Sequence, residues 1–273
     1  MTYSWIAIVN VKGKRALITG ASAGIGKETA KLFASKGCNL LLLARDAERL
    51  QELQASLHTE YGIDADILPQ DVSEPKQLLD RLEAYQKTRQ IDIAIANAAQ
   101  GQYGRVANTS WDEMEPILRI NIDGAIATAR GVVQQMIQRG SGSIIFVSSI
   151  LGKRSMQNNA VYCATKFALH GFADGLRLEV KKSGVHVGMV CPSRTATEIR
   201  ERMIYSERPV NPPMQVTDPP EVAAKAILRC VERRCRENIV SLPGKAFAYV
   251  GYHFPRISDF LLSRSVPEPQ EQE

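Results

Sequence analysis

The sequence predicts a doubly wound α/β domain, a parallel sheet covered by helices on both faces. Three observations carry this. From Arg15 onward, short apolar runs alternate with helix-length amphipathic stretches. The runs are apolar throughout instead of every second residue, which marks strands buried on both faces. Three of the helical stretches end on a glycine, Gly37, Gly140 or Gly184, directly before the next run. There glycine takes a positive φ at the helix C′ position without a Cβ penalty. A chain of 273 residues suits one such domain around a single large core.

The strands are read in order at Ala16-Leu17-Ile18, Leu40 to Leu43, Ile63 to Leu68, Ile91 to Ile95, Ser143 to Val147 and Val185 to Val190. The regular alternation stops after Val190. Five prolines between Pro209 and Pro220 exclude a continuous helix, so residues 194–220 are read as a loop or lid. A helix resumes over Glu221 to Arg234. Residues 245–262 then gather Phe247, Tyr249, Tyr252, Phe254 and Phe260. Gly251, His253, Pro255 and Arg256 interrupt this segment, so it is read as a pocket wall, with an interfacial lipid-contacting patch as the alternative. A single catalytic domain is expected over residues 1–262, with a flexible tail over 263–273.

Composition narrows the function classes. Hydrophobic residues at 44% and charged residues at 23% describe an ordinary globular protein. The net charge of +5 is not gathered into a basic stripe, which argues against a dedicated nucleic-acid binder. Cys38, Cys163, Cys191, Cys230 and Cys235 lack CxxC spacing and read as free thiols in a reducing compartment. The amino end has no basic region and no segment reaches membrane-spanning length, so a cytoplasmic location is expected. No cluster has metal-ligand spacing, no metal is expected, and His170 and His186 read as structural.

In doubly wound sheets ligands bind beyond the carboxyl ends of the strands. After the first strand stands Thr19-Gly20-Ala21-Ser22-Ala23-Gly24-Ile25-Gly26. Glycines let the backbone approach a pyrophosphate, and the following helix N-terminus meets its charge. A phosphate-binding NTPase loop would need glycine at Ala21 and Ser or Thr at Glu28, so that rival fails twice. The spacing also departs from GxGxxG, and a turn with a purely structural purpose is the alternative. After the second strand, an NAD enzyme offers a carboxylate to the ribose and an NADP enzyme a cation to the 2′-phosphate. Here that place reads Ala44-Arg45-Asp46. Arg45 can fork onto phosphate, while Asp46 suits the N-cap of the next helix, so NADP(H) is favoured over NAD(H). A solvated surface charge is the alternative reading of Arg45.

The densest chemistry is Val147-Ser148-Ser149, followed by Tyr162-Cys163-Ala164-Thr165-Lys166. Tyr162 and Lys166 stand four apart on one helical face, where an ammonium lowers a phenol from its reference pKa of about 10. Ser149, at a strand end, can donate to a substrate oxygen. A lone Tyr-x-x-x-Lys is more commonly a packed tyrosine beside a snorkelling lysine.

Together and in this order, these motifs resemble the short-chain dehydrogenase/reductase family in its shorter, single-domain, Rossmann-like branch, strongly over Lys12 to Thr197. The resemblance implies a cofactor turn of Gly20, Ser22, Ala23, Gly24, Ile25 and Gly26. It implies an adenine contact at Asp71 and Val72 and a strand-end motif at Asn97 and Ala98. Pro192, Thr195 and Thr197 would contact nicotinamide and phosphate. Ser149, Tyr162, Lys166 and Asn121, in Arg119-Ile120-Asn121-Ile122-Asp123-Gly124, would be catalytic. Ala99 and Ser193 replace family glycines and are expected to resist a positive φ and crowd the cofactor.

The reaction implied moves hydride between NADP(H) and a small-molecule carbonyl or alcohol. Tyr162 passes the proton, Ser149 holds the oxygen, Lys166 also binds the ribose and Asn121 positions a water. Met203, Ile204, Met214 and the aromatic segment favour a bulky apolar substrate, such as a ketone, aldehyde, or retinoid- or steroid-like molecule. Arg200, Arg202 and Arg208 leave open an acyl chain on an acidic carrier, and a sensor with little turnover is a further alternative. The resemblance also implies a homodimer or homotetramer.

Overall fold

In the computed structural model, which describes residues 8–195, 203–206 and 217–265, a seven-stranded parallel sheet forms the centre. Its strands are β1 (Arg15–Thr19), β2 (Asn39–Ala44), β3 (Ala65–Pro69), β4 (Ile93–Ala96), β6 (Gly142–Val147), β7 (Val185–Cys191) and β9 (Glu237–Ile239), in the order β3-β2-β1-β4-β6-β7-β9. Two-residue strands β5 (Gln102–Tyr103) and β8 (Ile204–Tyr205) pair in parallel beside it. The helices are α1 (Gly24–Ser35), α2 (Ala47–Tyr61), α3 (Pro75–Gln86), α4 (Trp111–Leu118), α5 (Gly124–Arg139), α6 (Ala160–Glu179), α7 (Pro220–Glu232), α8 (Leu242–His253) and α9 (Pro255–Ser265).

Each central strand feeds two cores, one on each face, as the unbroken apolar runs require. Ala16 and Ile18 of β1 face one core while Leu17 faces the other. Leu40 and Leu42 of β2 likewise oppose Leu41 and Leu43. The first core is closed by Phe33 of α1, Leu50 of α2 and Ile227 of α7. Leu82 of α3, Met136 of α5 and Leu169 of α6 close the second. Burying each such side chain contributes roughly 1.5–3 kcal/mol, which is why the four consecutive leucines of β2 suit a strand covered on both faces.

Of the three glycines read as helix caps, Gly37 (φ 73°) and Gly140 (φ 72°) close α1 and α5, whereas α6 is capped at Val180 and Gly184 (φ 74°) serves the turn into β7. Pro219 and Pro220 start α7, where a missing N–H costs nothing. Some boundaries differ from the reading above. Ile63 and Ile91 are buried, yet they precede their strands and pack at the turns. Strand β9 is an addition at the sheet edge, and α9 carries regular structure through residues 263–265, which the sequence assigns to a tail. Among the described residues most of the aromatic segment faces solvent instead of a cleft. Tyr249, Tyr252, Phe254 and Phe260 are exposed on α8, α9 and the joint between them, while Gly251 packs tightly on Arg154.

Strands β2 and β4 flank β1 on opposite sides, so the chain order switches direction at β1. A crevice opens beyond the carboxyl ends at such a point.

Candidate active site

The ends of β1 and β4 are clasped together by one buried threonine. Thr19 Oγ1 accepts the N–H groups of Asn97 and Ala98, both at 3.0 Å, and Asn97 Nδ2 donates to Thr19 O at 2.9 Å. Gly20 follows at φ 67°, and a Cβ there would stand 3.0 Å from Ala98 Cα. A Cβ on Gly26 would come within 2.1 Å of Gly20 O, so only glycine lets α1 start this close under the turn. Gly24 opens α1 at φ 51°. Ala23 caps it without a side-chain hydrogen bond, and its first turn carries no acid. These amides suit an anion, because partial positive charge gathers at a helix N-terminus.

Gly20, Ser22, Ala23, Gly24 and Ile25 line one side of a cleft of about 410 Å³. Arg45, Asp71 and Val72 line its far end. Arg45 Nη1 lies 3.6 Å from Asp71 Oδ2. Asp71 is oriented by Ser73, whose N–H and hydroxyl donate to Oδ1 at 2.9 and 2.8 Å. Asp46 caps α2 by accepting Arg49 N–H at 3.0 Å. Asn97, Ala98, Tyr162 and Lys166 close the other end.

Ser149 follows β6 and accepts Leu151 N–H at 3.1 Å, which leaves its own proton free to donate. Burial pushes the Tyr162 phenol up to about 12, and the hydrogen bond with Ser149 works against that rise. Burial likewise brings Lys166 down to about 8. Its ammonium stands 5.5 Å from the centre of the Tyr162 ring and donates to Val147 O at 3.2 Å. The sequence expects a phenol lowered by the lysine. Instead desolvation dominates, and the cation sits over the ring.

Asn121 is buried in a π-helical turn, Arg119–Asp123, between α4 and α5. Its Oδ1 accepts Gln100 N–H at 2.7 Å, while Nδ2 donates to Gln100 O and Thr165 Oγ1, both at 3.0 Å. Thr165 in turn donates to Tyr162 O at 2.7 Å. Both amide protons are therefore committed. The side chain clamps the loop after β4 to α6.

Beyond β7, Pro192 O accepts Ile150 N–H at 3.0 Å and so ties this loop to the serine turn. The two glycine replacements cause no backbone strain. Among the described residues the non-glycine residues at positive φ are Asn158 and Arg234, so Ala99 and Ser193 are unstrained. Ser193 has found a partner, donating to Asp218 Oδ2 at 2.6 Å. Thr195 bridges to Asp218, whose N–H donates to Arg194 O at 2.7 Å. Thr197 lies outside the described residues, as do Arg200, Arg202, Arg208 and Met214.

Sequence reasoning missed several residues. Gln70, Gln100, Ile120 and Ser148 also line the cleft. Each directly adjoins a strand end or a motif residue, a signal available in the sequence. A polar cluster behind the site had no such signal. His170 lies 3.2 Å from Ser148 Oγ, 3.8 Å from Cys191 Sγ and 3.4 Å from Glu237 Oε1. His170, Cys191 and Glu237 place their donor atoms within 4.8 Å of one another, a grouping that spacing along the chain did not reveal. Lys153 Nζ stands 2.5 Å from Glu237 Oε1 and balances its charge. Burial, with Lys153 nearby, brings His170 down to about 4. The cluster pins α6 to the ends of β6, β7 and β9.

The family model for short chain dehydrogenase matches residues 14–207, and the chain belongs to that family. The uncharacterized oxidoreductase YxnA of Bacillus subtilis is 31% identical over 273 residues, covering 98% of this chain and 76% of that protein. Dehydrogenase/reductase SDR family member 7B of Danio rerio is 30% identical, covering 85% of this chain and 78% of its own. A short-chain dehydrogenase from Sphingobium yanoikuyae, solved in complex with NADPH, is 30% identical with a TM-score of 0.77, covering 95% and 98% of the two chains. The bulky-bulky ketone specific alcohol dehydrogenase from Comamonas testosteroni is 25% identical with a TM-score of 0.75, covering 97% and 98%.

Proposed function

We propose that this oxidoreductase uses NADP(H) and acts on a bulky, largely apolar ketone, aldehyde or secondary alcohol. One observation carries the reading: a single cleft runs from Arg45, past the uncapped start of α1, to Tyr162 and Lys166. The glycine cradle, which side chains would fill, and the acid-free first turn fit a dinucleotide pyrophosphate. The carboxylate that would bind a ribose 2′-hydroxyl is replaced by Ala44, and Arg45 stands next to it to receive a 2′-phosphate. The NADPH complex of the Sphingobium yanoikuyae relative supports the same choice.

Bound there, the cofactor supplies or accepts the hydride. The chain's own residues handle the proton. With its pKa near 12, Tyr162 keeps its proton at neutral pH and can donate it to a carbonyl oxygen. Ser149 donates a second hydrogen bond to that oxygen. Lys166, near 8, remains largely protonated at pH 7 and favours the phenolate left behind. Asn121 holds α6 and the β4 loop in register.

Support for an apolar substrate comes from the lid. A Cβ on Gly101 would stand 2.7 Å from Met203 Cγ, and the rings of Tyr103 and Tyr205 lie 6.4 Å apart. The ketone specificity of the Comamonas testosteroni relative points the same way. A panel of bulky ketones, sugars and carrier-linked acyl substrates, followed by NADPH absorbance, tests the reading. Turnover of bulky ketones is expected. Preference for small polar sugars would overturn the apolar pocket, and activity confined to carrier-linked substrates would move it to an acyl carrier.

A further inference from the structure

Helices α8 and α9 wear their apolar faces outward. On α9 the residues spaced as one helical stripe, Ile257, Phe260, Leu261 and Arg264, all face solvent, the first three at 55%, 54% and 57% exposure. Polar Ser258 is buried instead and accepts a hydrogen bond from Arg154 Nε at 3.1 Å. On α8 the exposed stripe is Leu242, Lys245, Tyr249 and Tyr252, the last at 80% exposure. Its inner face is Gly244, Ala248 and Gly251. A globular helix normally buries its apolar stripe, so both helices are inverted with respect to the core.

Among the described residues of α8 and α9 the charges have one prevailing sign. Lys245, Arg256 and Arg264 are exposed. The acid on the same helices, Asp259, is paired with Arg154. The Arg264 guanidinium lies 3.9 Å from the Phe260 ring centre, the pairing of cation and aromatic that suits an interface between headgroup and acyl chain. We propose that α8 and α9 form a docking face for the surface of an anionic phospholipid bilayer. No helix among the described residues is long and apolar enough to cross a membrane. Docking is therefore interfacial, by partial burial of the stripe and attraction of the basic side chains. Self-association through the same face would set like charges against one another across a two-fold axis, which disfavours a second copy as the occupant.

The position of the face gives docking a consequence. Helix α8 packs on the turn that follows Ser149, with a Cβ on Gly244 placed 3.1 Å from Ile150 Cγ2. A bilayer on the outer face of α8 is therefore separated from the turn after Ser149 by that one helix, about 10 Å. The docking itself does not depend on the substrate proposed above.

Flotation of the full-length protein with phosphatidylcholine vesicles, with and without phosphatidylglycerol, tests the proposal. The protein is expected to float with the anionic vesicles, less so with phosphatidylcholine alone, and less again at high salt. Combined Ile257→Ser, Phe260→Ser and Leu261→Ser should reduce the bound fraction by about tenfold or more. Because these side chains are exposed, thermal stability and cofactor binding should persist. Trp111→Ser, an exposed aromatic elsewhere, should leave flotation unchanged. Glu268, Glu271 and Glu273 come next in the sequence after α9 and add negative charge to the protein, so their replacement by Gln should strengthen binding. Failure to float, or flotation indifferent to the triple substitution, overturns the proposal. Loss of a dimer in the triple variant without vesicle binding assigns the face to a second copy.

Discussion

Arg45→Ala separates the two nicotinamide cofactors. Arg45 is 63% exposed, and its partner Asp71 is 32% exposed at 3.6 Å, so the existing ion pair is worth at most about 1 kcal/mol. Charge-assisted bonds from a guanidinium to a phosphate contribute about 1.5–3 kcal/mol. Part of that offsets the pair with Asp71. The residual of about 0.5–2 kcal/mol weakens NADPH binding by about 2- to 30-fold when the side chain is removed. The loss grows further because Asp71 is then left unbalanced beside the 2′-phosphate. NADH has no such phosphate, so its dissociation constant should change by less than about threefold. Asp71→Asn is the reciprocal test. It preserves an acceptor for Ser73 and removes the repulsion, so NADPH should bind more tightly. The assay is titration of each reduced cofactor by nicotinamide fluorescence. Equal losses for NADPH and NADH would remove Arg45 from the phosphate site and refute the reasoning.

Gly26→Ala should abolish cofactor binding and lower the melting temperature, because the new Cβ would sit 2.1 Å from a backbone oxygen that cannot move without opening the turn. A variant with wild-type cofactor affinity would contradict this. Ser193→Gly, which restores the family residue, removes the bond to Asp218 and should lower the melting temperature by a few degrees while changing NADPH affinity by less than about threefold. Tighter binding by about tenfold would show that the serine obstructs the cofactor. Burial brings both His170 and His186 down to about 4, against 6.5 when unfolded. Between those values the unfolded chain takes up protons that the folded chain refuses, so stability falls as pH drops through 6.5 toward 4. Each histidine contributes up to about 1.4 kcal/mol per pH unit. His186→Gln should flatten the slope of melting temperature over that window, and an unchanged slope would rule the histidine out.

The sheet was legible because burial on both faces leaves a strong trace, as in the unbroken leucines of β2. Strand β9 left none. Glu237-Asn238-Ile239 is a short edge strand whose first residue serves the His170 cluster, so no apolar run marks it. The pairing of β5 with β8 is equally short and joins residues far apart in the chain. The glycine turn and the Tyr162, Lys166 pair were readable because each depends on local spacing. The clamp made by Asn121 and the cluster around His170 were not, since they bring together residues from separate elements. The aromatic segment misled for a different reason: composition reports how apolar a helix is, and only its packing decides which face looks inward. The backbone strain expected at Ala99 and Ser193 is absent for a similar reason, because the backbone asks neither for a positive φ.

Proton transfer from Tyr162 is the central claim, and Tyr162→Phe tests it most directly. The ring and its packing beside Lys166 are preserved, and the hydroxyl that meets Ser149 is removed. With the best carbonyl substrate, the single-turnover rate of NADPH oxidation should fall by about 10²–10⁴, with NADPH affinity nearly unchanged. A Tyr162→Phe variant that oxidises NADPH at close to the wild-type rate would contradict the account.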